Sequence, residues 1–416
     1  MNSSSNGETI NLILHKPLLL ALMLAVFLDI GNFFMPMPVY TPLFLHSSLL
    51  QGFSYKYKAV LLGILISCYG LGQIFGALFF GGLSDQWGRK KVILISLFIS
   101  FIGCVLGGIS ITFGLVNLIY ISRVLMGLSS GSIAVIFALT ADYSNKKNRA
   151  KNLGYINIGI ALGAAIGAVI GGYLITTETI IYSHYAVPFY FMAILYLINI
   201  FLLTKLLPLE TSFCIKESTN FYRTHLNRYK ALTYKKLLNY LILVGLLFQL
   251  SAESFYLVAP ILAVKVFHTS PSDISEHFFV QGIIAAITSL FLNKLLSQHF
   301  TSSSIYSFCS LFLIISLLFL FIRENYLYSY IPFFGMGIFG TLCWIHLNNL
   351  FSQSVDKSDQ GFIFGISQSL WAIGGIVSGA LVGLVAASSY KLCIFIPLIF
   401  IIGSFILTIV MKKNYK

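Results

Sequence analysis

Residues 81–92 read GGLSDQWGRKKV, from Gly81 to Val92. This short polar stretch separates two long apolar runs, and its residue types suit a tight turn between helices. Gly81, Gly82 and Gly88 permit a sharp reversal and close helix approach. Asp85 can sit at a helix N-terminus or face an Arg, and Arg89 can pair with a carboxylate at a neighbouring helix end. Arg89, Lys90 and Lys91 also fit a plain excess of positive charge on the inner side of a membrane, which is the simpler reading for Lys90 and Lys91.

The flanking runs are part of a larger pattern. Apolar stretches recur at 17–45, 58–83, 92–112, 115–141, 151–175, 186–207, 236–265, 276–296, 303–322, 328–350, 360–386 and 390–411. Each can cross ~30 Å of hydrocarbon as a helix of about 20 residues, so twelve spans are expected. The 416 residues are 57% hydrophobic and 9% charged, with a mean hydropathy of +0.88, outside the range of a soluble domain. Barrel strands would alternate polar and apolar residues instead of running unbroken, so the spans are helices. The first is too long, and lacks the basic leading region, for a cleaved signal peptide.

Loop charge sets the expected orientation. With the N-terminus inside, Lys and Arg number twenty in cytoplasmic segments and five outside, with Arg123 left within a helix. Both termini are therefore expected in the cytoplasm, most naturally of a bacterium with the chain in its inner membrane, and the net charge of +13 is largely a topology signal. No soluble basic face with stacking residues suggests nucleic-acid binding. The six cysteines are scattered without CxxC pairs, which points to packing and not to disulfides or metal. No cofactor is expected, and the chain is expected to be a monomer.

The only long hydrophilic interior segment, 208–235, divides six spans from six and reads as a cytoplasmic linker between an N-terminal bundle (1–207) and a C-terminal bundle (236–416). Equivalent spans share features, as structural repeats would. LDIGNFFMP (Leu28–Pro36) and AESFYLVAP (Ala252–Pro260) each place an acid, Asp29 or Glu253, seven residues before a proline. Gln73 in span 2 matches Gln281 in span 8. Span 5 has Gly154, Gly163 and Gly172, and span 11 has Gly365, Gly374 and Gly383, both in nine-residue steps. Nine residues is about two and a half turns, so these glycines alternate sides, whereas Gly163, Gly167 and Gly171 form one small face for close helix approach.

These residues carry a family resemblance. The 81–92 stretch closely resembles the loop signature of the major facilitator superfamily, G-x-L-x-D-R-x-G-R-R/K, at Gly81, Leu83, Asp85, Gly88, Arg89 and Lys90, with Gln86 in place of the usual Arg. LIYISRVLMGLSSG in span 4 resembles the pattern of an intramembrane Arg followed by glycines, here Arg123, Gly127 and Gly131. Span 5 resembles the antiporter pattern, with Ala168 where its Pro stands. The corresponding position between spans 8 and 9, at Asn293, lacks the acid, so the second copy of the loop signature is degenerate. The resemblance implies an all-α membrane protein with twelve transmembrane helices in two six-helix pseudo-repeats around a central cavity. It also implies that the 81–92 loop latches the halves on the cytoplasmic side when the cavity faces outward, with Asp142 the expected partner of Arg89, and that Arg123 is linked to proton transfer.

A charge near the bilayer centre costs at least ~2.5–3.5 kcal/mol, so Asp29, Arg123 and Glu253 need partners, a wet cavity or protonation. Burial disfavours the ionised form of a carboxyl group, and such an acid can load and release a proton as the cavity opens to either side. The two acids are expected at repeat-related positions flanking that cavity, Asp29 with the larger share of coupling, and the prolines are expected to loosen helices that rock. Alternatively, either acid pairs with a lysine or caps a helix, and Arg123 either stabilises deprotonated Asp29 or another acid, or holds backbone carbonyls. His346 can bind substrate or titrate, or simply pack. Further candidates for the cavity lining are Asn32, Tyr40, Gln249, Tyr256, Trp344, Asn348, Asn349, Gln368 and Trp371.

With no G-x-x-x-x-G-K-[ST] loop for ATP and no motif assembling a nucleophile with its base, an enzyme is not expected. The leading expectation is proton-coupled secondary transport of a small organic solute by alternating access. Asp29 in span 1 and the span 5 glycines resemble the drug and metabolite antiporter branch of the family, which implies export, and Ala168 in place of that branch's Pro argues the other way. The runner-up is uptake by proton symport of a polar or anionic metabolite such as a carboxylate siderophore, with Arg123 and His346 meeting its charge. An uncoupled facilitator, or a non-transporting membrane receptor, is the alternative of another class.

Overall fold

Gly88 is a left-handed joint. The helix Tyr55–Trp87 ends on it and the helix Arg89–Thr112 begins immediately after, with Gly88 at φ +86°, a conformation that favours glycine because it has no Cβ. The computed structural model describes residues 15–144, 148–175, 182–207, 236–322, 326–355 and 360–414; the linker expected at 208–235 lies outside them. Among the described residues there are twelve spans, numbered here in chain order: Lys16–Leu45, Tyr55–Ala77, Arg89–Thr112, Val116–Asp142, Lys151–Tyr173, Ser183–Leu206, Lys236–Val266, Pro271–His299, Ser302–Phe321, Tyr326–Gln353, Gly365–Ser388 and Leu392–Lys413. They form two pseudo-repeated six-helix bundles. The start of span 1, the end of span 12 and the Gly88 joint lie at one end, the near end, with Gly81 and Gly82 still inside the helix Tyr55–Trp87 and not in the turn expected there; the opposite end is the far end.

The helices depart from regularity where their sequences require it. Span 1 breaks at Met35 into Lys16–Phe34 and Pro36–Leu45, because Pro36, Pro38 and Pro42 remove three backbone donors within two turns. Span 7 instead runs unbroken through Pro260, so the loosening expected of both repeat-related prolines is seen only at the first. Span 4 is interrupted between Ser129 and Ser132. Spans 8 and 10 contain short π segments, Thr288–Leu292 and Met336–Gly340.

The glycine triplets show how the repeats are put together. Their first members, Gly154 and Gly365, have nothing within 4 Å of where a Cβ would sit. Their second members face the first helix of their own bundle. A Cβ on Gly163 would lie 2.5 Å from the Phe27 carbonyl of span 1, and one on Gly374 would lie 3.0 Å from Cβ of Gln249 in span 7. The third members face the opposite bundle: Gly172 abuts Pro271 and Ser275 of span 8, and a Cβ on Gly383 would lie 2.9 Å from Cα of Gly63 in span 2. A nine-residue step turns the helix by about half a revolution, which makes this alternation possible. The expected Gly163, Gly167 and Gly171 face lies on span 1, where a Cβ on Gly167 would be 2.5 Å from Cα of Gly31.

The seams between bundles are therefore span 2 on span 11 and span 5 on span 8. Hydrogen bonds reinforce both, from Ser67 Oγ to the Ile376 carbonyl (2.8 Å) and from Ser275 Oγ to the Ala168 carbonyl (2.8 Å). All these contacts fall in the far halves of the helices, while Gly154 and Gly365 stand open toward the near end. Among the described residues, these contacts join the bundles toward the far end. Large apolar side chains such as Phe75, Phe98, Ile121, Phe201 and Phe291 are exposed around the outside, as a lipid-facing surface requires.

Candidate functional site

The break in span 1 creates the first element of the site. Pro36 has no N–H to offer the Asn32 carbonyl, and Arg123 of span 4 supplies one. Its Nη1 donates to Asn32 O at 3.0 Å and its Nη2 to Phe33 O at 3.4 Å. The guanidinium is fully buried and lies over the Tyr69 ring at 4.4 Å, with Tyr40 and Phe33 at 5.7 and 5.9 Å. Cation–π contact replaces much of the hydration that burial removes. Arg123 thus holds backbone carbonyls, and among the described residues it pairs with no acid; the stabilisation of Asp29 offered as one possibility is absent from this geometry.

Because an Arg fork serves two carbonyls, Arg123→Lys should lose one bond and Arg123→Met both. An unsatisfied buried carbonyl costs about 1–3 kcal/mol, so melting temperatures of the purified variants should fall in the order wild type, Lys, Met. Equal melting of all three would mean that the kink in span 1 supports itself.

Glu253 lies across the interface from this arginine. It is 3% exposed, midway along span 7, and its Oε1 accepts a 2.6 Å hydrogen bond from Nε1 of Trp371 in span 11. Oε2 accepts none among the described residues and points toward Gly375, 3.7 Å from a Cβ built there. The Trp371 ring meets Phe33 edge-on at 5.5 Å, and Phe33 meets Tyr69 at 5.1 Å. One turn beyond Glu253, Tyr256 packs against Phe34 and Phe278 and accepts a 2.9 Å hydrogen bond from Nε2 of Gln281. The other amide atom, Gln281 Oε1, is buried without a partner. Aromatic rings from both bundles thus pack beside Trp371 and Tyr256, the partners of Glu253 and Gln281, and each of those two side chains keeps one oxygen without a donor among the described residues.

Asp29 has a different setting. It is 2% exposed, and its carboxylate accepts from Ser132 Oγ at 2.9 Å and from Tyr196 OH at 3.2 Å. Spans 1, 4 and 6 thus converge on it inside the N-terminal bundle. The two acids are repeat-related in sequence, and each bonds within its own bundle; Glu253 is linked to the opposite bundle through Trp371, whose ring meets Phe33. Serine and tyrosine donors satisfy both oxygens of Asp29, whereas Glu253 keeps one oxygen without a donor among the described residues.

The remaining candidates scatter. Asn32 accepts weakly from Cys104 and leaves Nδ2 without a partner, as Tyr40 leaves its buried hydroxyl. Gln249 packs on Gly374. His346 and Asn349 converge on Ser302 at the near end of span 9, at 3.2 and 2.7 Å, away from the aromatic cluster. Asn348 bonds Ser367 and the Trp344 carbonyl, and Gln368 is exposed. No cluster of three or more His, Cys, Asp or Glu with metal-binding geometry occurs among the described residues.

At the near end Arg89 and Asp142 form an ion pair at 2.7 Å; the side chain of Asp85, like Gly81 beyond its place in the helix, lies outside the described residues. Arg89 opens its helix and Asp142 closes its own, so each charge occupies the unfavourable end of a helix dipole. Their pairing offsets this, and the pair is internal to the N-terminal bundle. Lys90 reaches the last carbonyls of span 6, at Thr204 and Leu207, a C-capping contact. The sequence reading did not single out Phe33, Phe34, Tyr69, Phe278 or Tyr196; single aromatic residues in greasy helices carry no spacing signal that separates a site from packing.

Comparison with known proteins agrees with this architecture. Residues 22–379, and again 241–414, match the profile of the Major Facilitator Superfamily. The quinolone resistance protein NorA of Staphylococcus aureus is 24% identical over 329 residues, covering 77% of this chain and 80% of that protein. Multidrug resistance protein 2 of Bacillus subtilis is 24% identical over 333 residues, 78% of this chain and 79% of the other. Among solved structures, the partially occluded inward-open xylose transporter XylE from E. coli superposes with a TM-score of 0.74 at 13% identity, over 96% of this chain and 97% of its own. The human organic anion transporter MFSD10 gives 0.67 at 18% identity, over 94% and 99%. On its helices, its loop signature and a profile match spanning most of its length, the chain belongs to the major facilitator superfamily and is a multi-pass membrane transporter, not an enzyme.

Proposed function

We propose that this transporter is a proton-coupled exporter of small organic solutes in a bacterial cytoplasmic membrane, with its near end and both termini in the cytoplasm. The observation that carries the reading is Glu253: a buried carboxylate with one oxygen fixed by Trp371 and the other free, set among aromatic rings at the interface of the two bundles. Such a site suits a flat aromatic solute that offers a cationic or N–H group to Glu253 Oε2 and Gln281 Oε1. The similarity to proteins named for quinolone and multidrug resistance supports export and solutes of that kind.

The cycle follows from competition for one carboxylate. With the near end open, a solute reaches Glu253 and its proton leaves to the cytoplasm. After the bundles rock, a proton from outside displaces the solute and returns with Glu253. Uptake of an anionic metabolite is less well supported, since Arg123, its natural partner, is occupied by the backbone of span 1, and His346 sits apart against Ser302.

Purified protein in proteoliposomes, given ethidium as a probe aromatic cation, provides the test. Vesicles with an acidic lumen should accumulate the dye through the inside-out population, and vesicles with an alkaline lumen should not. The opposite dependence would establish symport, and indifference to both gradients would establish an uncoupled facilitator.

A further inference from the structure

At the far end, the start of span 8 carries a polar cluster apart from the transport site. Ser270 and Asp273 begin the helix as a reciprocal cap, with the Asp273 carboxylate accepting the Ser270 N–H at 2.8 Å. Glu276, one turn on, is half-buried and takes hydrogen bonds from both bundles. Tyr173, the last residue of span 5, donates to Oε1 at 2.6 Å, and Tyr330 of span 10 donates to Oε2 at 3.2 Å. His277 is fastened at both nitrogens, to the Asp273 carbonyl and to Ser329 Oγ, each at 2.7 Å. Its ring stacks on Tyr330, 3.9 Å between centroids and 14° from parallel.

The two sides of this cluster differ. On the C-terminal bundle, His277 fixes Tyr330 and Tyr330 fixes Glu276, so the carboxylate is pre-oriented before the N-terminal bundle meets it. The N-terminal bundle contributes one phenol on the exposed end of a helix. We infer that Glu276 is the latch of the far gate: its carboxylate receives Tyr173 when the bundles close at the far end and releases it when they part, with Tyr330 and His277 as positioning residues. The glycine and serine contacts of Gly172, Ser275 and Ala168 lie beside it on the same seam, so the hydroxyl and carboxylate can meet only when those backbones are in contact. A hydrogen bond to a charged group is among the stronger kinds, and its loss weighs on one state only, which is the condition for shifting a two-state equilibrium.

The inference rests on family membership and not on the identity of the solute, so its test uses neither substrate nor proton gradient. Nitroxide labels at Gln51→Cys and Lys391→Cys report the separation of the bundles at the far end, in lipid nanodiscs and a Cys214→Ser background; the other five cysteines are buried. Tyr173→Phe removes one exposed hydroxyl and leaves the helix intact. It should raise the ratio of long to short distances roughly three- to tenfold, the range for a partly screened, charge-assisted bond. Glu276→Met, close to Glu in length but without an acceptor oxygen, should act alike, and the double variant should shift the ratio no further than either alone, because both remove the same bond. An unchanged ratio in both single variants, or two shifts that simply add, would overturn the latch.

Discussion

Glu253→Gln is expected to abolish solute accumulation driven by a proton gradient while leaving the protein folded and in the membrane. The amide has nearly the same size and can still accept the 2.6 Å hydrogen bond from Trp371, so packing changes little. The loss is that of a group able to exchange a proton for a solute. Coupling at a shared site is reciprocal and typically amounts to about 5- to 150-fold in affinity. Ethidium affinity of wild-type protein should therefore weaken as pH falls and protons occupy Glu253, and the Gln variant should bind with the same affinity at every pH. Downhill exchange of dye without a gradient should persist in the variant. Asp29→Asn supplies the contrast, since Ser132 and Tyr196 both donate to Asp29 within one bundle, and an amide retains an acceptor for at least one of them. A smaller loss is expected there. If gradient-driven accumulation survives Glu253→Gln and vanishes with Asp29→Asn, the coupling acid lies in the N-terminal bundle and the interface reading of Glu253 fails.

What was legible in the sequence follows from which forces act locally. Helices crossing a bilayer must satisfy every backbone group internally, so unbroken apolar runs reported twelve spans close to their structural bounds. The nine-residue glycine steps were legible for a similar reason: a helix has a fixed angle per residue, and position along it fixes which neighbour a glycine meets. Pairing of Arg89 with Asp142 was also within reach, because both fall at helix ends brought together by short loops. The acids were not legible to the same degree. Asp29 and Glu253 have identical local settings, and their difference lies in partners distant in sequence, Tyr196 for one and Trp371 for the other. Arg123 posed the same difficulty, for its function in holding span 1 depends on Pro36, 87 residues earlier, through a carbonyl that sequence patterns do not advertise. Tyr173, Glu276, His277 and Tyr330 escaped notice because they stand at helix ends, where polar residues are ordinary.

Gly167→Leu is expected to do the greatest structural damage of any single substitution considered. A Cβ at this position would sit 2.5 Å from Cα of Gly31 and 2.8 Å from its carbonyl oxygen, so the obstruction is backbone and cannot rotate aside. Adding three further carbons forces spans 1 and 5 apart. Overpacking a rigid site costs ~1–3 kcal/mol or more, and here it also pulls Asn32 and Phe33 of span 1 away from Arg123. The variant should express poorly, melt at a lower temperature and lose transport with every solute, in contrast to Glu253→Gln, which should remain folded. Gly374→Leu meets Gln249 Cβ at 3.0 Å, a side-chain atom beside backbone with slightly more room, and should show a milder form of the defect. Gly365→Ala is the control: nothing lies within 4 Å of its Cβ, and alanine favours the helix by about 1 kcal/mol, so its melting temperature should hold or rise. Two outcomes would remove the packing argument. Wild-type melting by Gly167→Leu would place this face of span 5 against lipid, and equal damage from Gly365→Ala would show that both helices resist any added side chain for reasons other than contact with spans 1 and 7.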